Sequence, residues 1–205
     1  MMTTGGGWQD QVGGLVPGVK IGFSKAELPL YVDYRPVELP EDFIRQFDER
    51  LLLIYTGKTR LARNLLQNVV RNWYARDPHI VQTTNNLVRI AYECEQAFKN
   101  CDLLTVGKLW TEYWQLKKQI ATGCEPASVS QMIRALAPHA LGCCMAGAGG
   151  GGFLYVLTKE PRQKEMVKDI LSELEYLTEK FVIYEGSISK EGLTISPPTE
   201  DDKHS

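Results

Sequence analysis

Short stretches of alternating or continuous apolar residues predict strands near both ends of the chain. Residues 18–24 and 28–40 are rich in β-branched and aromatic side chains, and apolar and polar positions alternate in the second stretch, which predicts two antiparallel strands. The apolar run LLLIY at 51–55 stops at a Thr-Gly pair, as a buried strand does where a loop begins. Three further strands are predicted towards the end of the chain: FLYVLT at 153–158, FVIYEGSIS at 181–189 and GLTI at 192–195.

Apolar residues with the period of an α-helix dominate the middle of the chain. From Thr59 they recur on one helical face until Asp77-Pro78 stops the pattern. Further predicted helices span 80–99, 102–121, a shorter stretch from the Gly123–Pro126 break to near Pro138, and Pro161 to about Lys180. We therefore predict an α+β fold, in which the strands at 51–55 and 153–158 and the last two strands form one antiparallel sheet.

Charge and cysteine content narrow the classes of partner. The 205 residues include 23 basic and 25 acidic side chains, well mixed, with a formal charge of −2, so we expect no nucleic-acid partner and no membrane partner. A small polar ligand or a protein partner is favoured.

The five cysteines have no Cys-x-x-Cys spacing, and with only three histidines no zinc-ligand pattern arises, so we predict reduced thiols and no metal site. The sequence lacks a signal-peptide pattern and an apolar run long enough to span a bilayer, so a cytoplasmic location is expected.

The segment AGAGGGGF at 146–153 is the strongest compositional anomaly, with five glycines in the six positions 147–152. Each glycine costs about 0.5–1 kcal/mol relative to alanine where the backbone is ordered, so an ordered run of this kind needs a reason. One reason is a loop whose main-chain N–H groups approach a phosphate or a second loop. The alternative is a flexible linker. We favour the ligand-facing loop, because a linker would not be expected to lead directly into an apolar strand.

The junction YTGKTR at 55–60 ends in the Gly-Lys-Thr of a Walker phosphate loop. The first glycine of that motif is absent, because the position it requires is Leu52 within the predicted strand, so a Walker loop is excluded. What remains is a strand-to-helix junction whose helix start could receive an anion. A capped helix with solvated basic side chains is an equally good interpretation. The polar residues concerned are Thr56, Lys58, Thr59 and Arg60.

Asp10 is the only ionisable side chain among residues 1–19, within the polar, glycine-rich stretch TTGGGWQDQVGG at 3–14. Such a stretch is typical of a loop that faces a ligand. A carboxylate near a helix start could hold or accept the proton of a substrate hydroxyl. The residue types support equally well an aspartate that only caps a helix.

Three segments in a specific order resemble the second half of a GHMP-type sugar kinase: GGGWQDQ at 5–11, YTGKTRLARNLL at 55–66 and AGAGGGGF at 146–153. The likeness runs over about residues 3–195 and is greater to the L-fucose kinases than to the bacterial heptose kinases. It implies the family's C-terminal fold, a ferredoxin-like antiparallel sheet with added helices. It also implies ATP-dependent phosphorylation of L-fucose at the anomeric hydroxyl, which gives L-fucose 1-phosphate in the salvage route to GDP-fucose.

The same resemblance implies roles for individual residues. Asp10 corresponds to the catalytic acid that stands beside the acceptor hydroxyl. The sugar is expected to contact Gly6, Gly7, Trp8, Gln9, Thr56, Gly57 and Arg60. The glycine loop is expected to pack against the nucleotide phosphate loop and help set its conformation through Gly147, Ala148, Gly149, Gly150, Gly151 and Gly152. ATP and Mg²⁺ are the implied cofactors.

The chain departs from the family pattern at its start. In GHMP kinases a Pro-x-x-x-Gly-Leu-x-Ser-Ser-like loop that holds ATP precedes the WQDQ-like segment, and here only Met1–Thr4 could precede it. We therefore expect a remnant of the family's N-terminal domain, with the WQDQ segment and a strand pair, at 1–40, the C-terminal domain at 41–196 and a disordered tail at 197–205.

The ATP loop and the Mg²⁺ ligands would then belong to a missing N-terminal half of the same enzyme, which is an expected partner, so this chain is expected to be inactive by itself. The alternatives are a heptose kinase-like enzyme and a non-catalytic sugar- or protein-binding module derived from the kinase.

Overall fold

The computed structural model of the protein describes residues 7–57, 63–174 and 180–195. The chain divides into two compact units. The larger unit includes Glu38–Ser187, and the smaller one joins Gly7–Val37 to the segment that begins at Ile188. The division into a remnant at 1–40 and a C-terminal domain at 41–196 stays a prediction.

Within its described residues, the smaller unit contains one short helix and one hairpin. Helix α1 (Gln9–Leu15) precedes strand β1 (Lys20–Ser24), which pairs antiparallel with β2 (Val32–Pro36) and confirms the predicted strand pair. The helix is a correction, because the opening stretch was expected to be a loop. Gly13 and Gly14 weaken the helical signal in the sequence. The fold supplies contacts that favour the helix, since the ammonium group of Lys20 donates hydrogen bonds to the carbonyls of Gly13 and Val16.

The larger unit has the strand and helix order of a ferredoxin-like fold, with added helices in the first crossover. Its four strands are all antiparallel, in the order β4-β5-β3-β6, which confirms the predicted α+β class. The elements are α2 (Glu41–Asp48), β3 (Leu51–Tyr55), α3 (Arg63–Tyr74), α4 (Pro78–Lys99), α5 (Leu103–Ile120), α6 (Ala127–Leu136), β4 (Ala140–Met145), β5 (Phe153–Thr158), α7 (Lys164–Ser172) and β6 (Val182–Glu185).

The fourth strand of this sheet differs from the prediction. Residues 191–195, which include the expected strand GLTI, form no strand, and β4 occupies the edge beside β5 instead. The apolar side chains of the GLTI segment are exposed, at 65% for Leu193 and 89% for Ile195, so burial does not hold this segment in a sheet. The sequence of β4, ALGCCM, is rich in small residues with weak strand preference, so its local pattern did not predict a strand.

The helical predictions are confirmed in position, with shifted ends. Helices α4, α5 and α6 lie where the apolar period predicts them, while α2 is an additional helix that the pattern did not indicate. Helix α7 is shorter than the predicted span from Pro161 to Lys180, and part of that span, 175–179, lies outside the described residues. The predicted start of α3 at Thr59 also lies outside them.

The core lies on both sides of the sheet. On one face, Ile54, Leu154 and Val156 are at most 1% exposed and belong to one cluster with side chains of α6 and α7, among them Met132 and Leu171. Neighbouring residues of a strand point to opposite faces, so Tyr155 lies on the other face. There its ring contacts Trp110 of α5, which in turn packs edge-on against Phe47 of α2. The sheet is therefore covered by helices on each side, and the 146–153 loop connects its two adjoining strands.

Candidate functional site

Asp10 lies in the first turn of α1 and is exposed to solvent. The N-cap position is Trp8, whose side chain makes no capping hydrogen bond, so the interpretation of Asp10 as a helix cap is wrong. No hydrogen bond or ion pair joins the Asp10 carboxylate to another residue of the described ranges. Both carboxylate oxygens are therefore available to an external group.

The neighbours of Asp10 occupy different environments within the smaller unit. The ring of Trp8 is half-buried and lies over β1, where a Cβ at Gly22 would come within 2.8 Å of it. Gln9 and Gly7 are exposed and adjoin each other, because a Cβ at Gly7 would overlap the Gln9 side chain. Gly6 lies outside the described residues. The role of these residues in sugar binding stays a prediction.

Thr56 anchors the end of the glycine loop. It is 1% exposed, and both its backbone N–H and its hydroxyl donate to the carbonyl oxygen of Gly152, at 2.9 and 3.0 Å. Gly57 follows with a positive φ of 76°. Arg60, with Lys58 and Thr59, lies outside the described residues. The structure thus places Thr56 in the support of the loop, and a direct contact of its side chain with a sugar stays a prediction.

The glycine loop has a defined backbone conformation. All five of its glycines, Gly147, Gly149, Gly150, Gly151 and Gly152, have positive φ, which is the conformation that L side chains rarely adopt. Gly149 and Gly150 are buried, whereas Gly147 is exposed. The loop is closed at its base by the backbone hydrogen bond from Ala146 to Phe153, at 2.8 Å. The free-energy cost of ordering five glycines therefore has a structural reason, because the backbone of this loop adopts φ angles that other residues rarely adopt.

Residues of the α5–α6 region hold the beginning and the middle of the loop. The ammonium group of Lys117 donates to the carbonyl oxygen of Gly147. The N–H of Gly150 donates to the carbonyl oxygen of Cys124 at 2.5 Å. Sequence reasoning did not identify Lys117 or Cys124 as part of this site. No local signal could have found them, because they contact residues about thirty positions away whose placement depends on the sheet.

A small cavity in the smaller unit was also not predicted. Its volume is about 220 Å³, and it is lined by Phe23, Ser24, Lys25, Glu27, Pro29, Tyr31 and Asp33 of the β1–β2 hairpin. The lining combines apolar rings with two carboxylates and one ammonium group. We assign it no role.

The described cysteines are free, and burial raises the pKa of Cys143 and Cys144 to about 12, which leaves them protonated and unreactive near neutral pH. Among residues 7–57, 63–174 and 180–195, no three His, Cys, Asp or Glu side chains come together as a metal site. In the same ranges, no helix has the length and apolar character needed to cross a membrane.

Comparison with known families identifies the larger unit. Residues 94–176, which begin within α4 and extend past the end of α7, match the family model described as GHMP kinases C terminal. The chain carries a GHMP kinase C-terminal domain. The matched range contains the glycine loop and the α5–α6 region that supports it.

Two proteins resemble most of this chain. A bifunctional fucokinase/GDP-fucose pyrophosphorylase of Arabidopsis thaliana is 33% identical over 173 residues, which are 84% of this chain and 16% of that protein. An L-fucokinase/L-fucose-1-P guanylyltransferase of Bacteroides fragilis is 30% identical over 178 residues, covering 84% of this chain and 18% of that protein. The chain thus spans less than a fifth of the length of either relative.

A solved structure supports the fold assignment independently of sequence. The L. major mevalonate kinase in complex with R-mevalonate superposes with a TM-score of 0.65 at 16% identity, over 84% of this chain and 50% of that one. At this identity the likeness concerns the fold alone. It agrees with the ferredoxin-like sheet of the larger unit.

Proposed function

We propose that this chain is part of an ATP-dependent L-fucose kinase that phosphorylates the anomeric hydroxyl. The observation that carries the proposal is the likeness, over 84% of the chain, to two proteins whose names include L-fucokinase activity. Both names also include a nucleotidyl-transfer activity. We assign the chain to the kinase part, because residues 94–176 match a kinase family rather than a nucleotidyltransferase.

In the proposed reaction Asp10 serves as the proton acceptor. The anomeric oxygen of L-fucose forms a bond to the γ-phosphorus of ATP, the bridging P–O bond to the β-phosphate breaks, and ADP leaves. The hydroxyl proton passes to the Asp10 carboxylate. The exposure of Asp10 in the first turn of α1 supports this role, since the carboxylate is open to a substrate. ATP is the implied phosphoryl donor, and we assign no ligands and no step to Mg²⁺.

The glycine loop would serve the nucleotide side of the reaction. Its five positive-φ glycines bring the main chain close to neighbouring groups without side chains in between. Supporting a phosphate-binding loop of the nucleotide site is a role that such a backbone could fill. Phosphoryl transfer depends mainly on positioning and on charge stabilisation, so a displaced support would lower the rate without changing the reacting groups.

The test is a chimera in which this chain replaces the matching 173 residues of the Arabidopsis relative. We expect ATP-dependent formation of L-fucose 1-phosphate, and in the Asp10→Asn variant a kcat lower by at least ~100-fold, which is the usual contribution of a positioned acid or base. The KM for L-fucose should change by less than about threefold, because the loss falls on the transfer step. Release of ADP under saturating ATP measures both constants.

The matched control is Asp169→Asn, which removes an exposed carboxylate from α7. It should leave kcat unchanged. Turnover in Asp10→Asn within about twofold of the parent would remove Asp10 from the proton-accepting role. A chimera that phosphorylates heptoses but not L-fucose would show that the substrate assignment is wrong.

A non-catalytic binding module is the second candidate. The observation that favours it is the set of exposed apolar side chains in the β1–β2 connection, with Leu28 at 93%, Leu30 at 55% and Tyr31 at 76% exposure. The melting temperature of the purified 205-residue chain separates the two functions. A rise with L-fucose but not with ATP would favour the binding module, and an insoluble product would favour a piece of the kinase that folds only with the rest of the enzyme.

A further inference from the structure

We infer that Trp114, Lys118, Cys124 and Glu125 form a buttress that sets the conformation of the glycine loop, with Glu125 as its positioning residue. The inference rests on the proposed function in one respect, which is that the loop supports the nucleotide. The contacts that form the buttress lie within the larger unit, between α5, the α5–α6 connection and the loop.

The middle of the loop packs closely against the backbone of Cys124. A Cβ placed on Gly149 would come within 2.7 Å of the Cys124 carbonyl oxygen and 3.0 Å of the Trp114 ring. The next residue, Gly150, donates its N–H to the same carbonyl oxygen at 2.5 Å. The path of the loop at these two residues therefore follows the position of one peptide group.

Glu125 fixes that peptide group to α5. Its carboxylate accepts a hydrogen bond from the indole N–H of Trp114 at 2.5 Å and forms an ion pair with Lys118 at 3.2 Å. The Trp114 side chain is 1% exposed, and the side chain of Glu125 is only 14% exposed. Trp114 and Lys118 are four residues apart, so they share one face of α5, and the carboxylate is held from a single rigid helix.

The ends of the loop are held separately from the buttress. Lys117 contacts the Gly147 carbonyl at the start, and Thr56 holds Gly152 at the end. Removing the Glu125 carboxylate should therefore release the middle of the loop while both ends stay attached. A change confined to the middle of the loop would therefore distinguish the loss of the buttress from a general loss of stability.

Amide hydrogen exchange of the 205-residue chain tests the inference at the N–H of Gly150. In Glu125→Ala we expect this amide to exchange roughly tenfold faster, because its acceptor on Cys124 is no longer fixed in place. Glu125→Gln keeps an oxygen acceptor for the indole N–H of Trp114 and should change the rate by less than about threefold. The amide of Ile54 in the central strand β3 serves as the internal reference.

Val167→Ala is the control for a purely structural effect. Val167 is fully buried in α7, so its truncation lowers global stability without touching the buttress. This substitution should accelerate amide exchange at Gly150 by no more than it accelerates exchange at Ile54. The inference is overturned if Glu125→Ala leaves Gly150 exchange unchanged, or if it accelerates Gly150 and Ile54 by the same factor.

Calorimetric titration with ATP separates this inference from the proposed function. In the chimera with the Arabidopsis relative, Glu125→Ala should weaken ATP binding by about fivefold or more, with Glu125→Gln close to the parent sequence. A chimera that binds ATP but does not phosphorylate L-fucose would count against the proposed function. The exchange rates of Gly150 would still decide whether the buttress sets the loop.

Discussion

Gly107 and Gly142 show how two residues determine the contact between α5 and β4. A Cβ on Gly142 would overlap the carbonyl oxygen of Gly107, and a Cβ on Gly107 would come within 2.6 Å of the backbone of Leu141. Neither glycine has a positive φ, so space rather than backbone conformation excludes a side chain at both positions. The helix and the strand approach each other through these two residues.

Replacing Gly142 by alanine should destabilise the larger unit by about 1–3 kcal/mol, the usual cost of inserting atoms into a packed contact. Urea denaturation followed by helical circular dichroism measures the change. The matched control is Gly13→Ala in α1, where no atom lies within 4 Å of the added Cβ. That substitution should be neutral or stabilising by up to about 1 kcal/mol. Equal stability of Gly142→Ala and the parent chain would contradict the close contact.

The helices of the larger unit have distinct boundary signals, and Asp77 is the clearest. Its carboxylate accepts hydrogen bonds from the backbone N–H groups of His79 and Ile80, at 2.9 and 3.3 Å, and Pro78 occupies the first helical position of α4. The Asp-Pro pair that ends the apolar period of α3 therefore also begins α4. Aspartate followed by proline is a sequence-readable start of a helix.

Asp77→Ala should lower the free energy of unfolding by about 1 kcal/mol, since two backbone donors of α4 lose their acceptor. Asp77→Asn, which retains a side-chain oxygen, should differ from the parent by no more than a few tenths of a kcal/mol. Thermal and urea denaturation of the three proteins give the comparison. An asparagine variant as unstable as the alanine variant would show that the charge, and not the cap, is what matters.

Burial raises the pKa of four of the described thiols, those of Cys94, Cys124, Cys143 and Cys144, and their titration links the stability of the protein to pH. Burial raises the pKa of Cys143 and Cys144 to about 12 and that of Cys94 to about 11, from an ordinary value of 9.0. The unfolded chain therefore releases these protons at lower pH than the folded chain does. The stabilisation due to the neutral thiols is fully present below about pH 9 and is lost as the pH rises from 9 towards 12.

We expect the free energy of unfolding, measured in urea with reductant, to fall between pH 8.5 and pH 10.5 by up to about 1.4 kcal/mol per pH unit for each such thiol. Cys143→Ala should reduce this slope, although it costs some stability at every pH. The exposed Cys101 provides the control, since Cys101→Ser should leave the slope unchanged. A pH-independent free energy over this interval would show that the buried thiols do not titrate as described.

Local pattern alone is enough to predict β3, β5 and the long helices α4 and α5, because periodicity and apolar runs are properties of neighbouring residues. The glycine run and Asp10 also stand out by composition. The local sequence pattern did not predict α1 and β4. In both elements, glycines and small residues weaken the local preference, and contacts with residues outside the element favour the observed structure.

The contacts of the candidate site illustrate the same limit. The composition of the 146–153 segment predicts a backbone that approaches another group, but not which group it approaches. The sheet brings Gly152 to Thr56, and the packing of α5 brings Cys124 and Lys117 to the loop. These pairs are between about 25 and 100 residues apart in the chain. Their contacts exist only because burial of the apolar faces brings distant segments together, and that is a property of the folded molecule rather than of any stretch of its sequence.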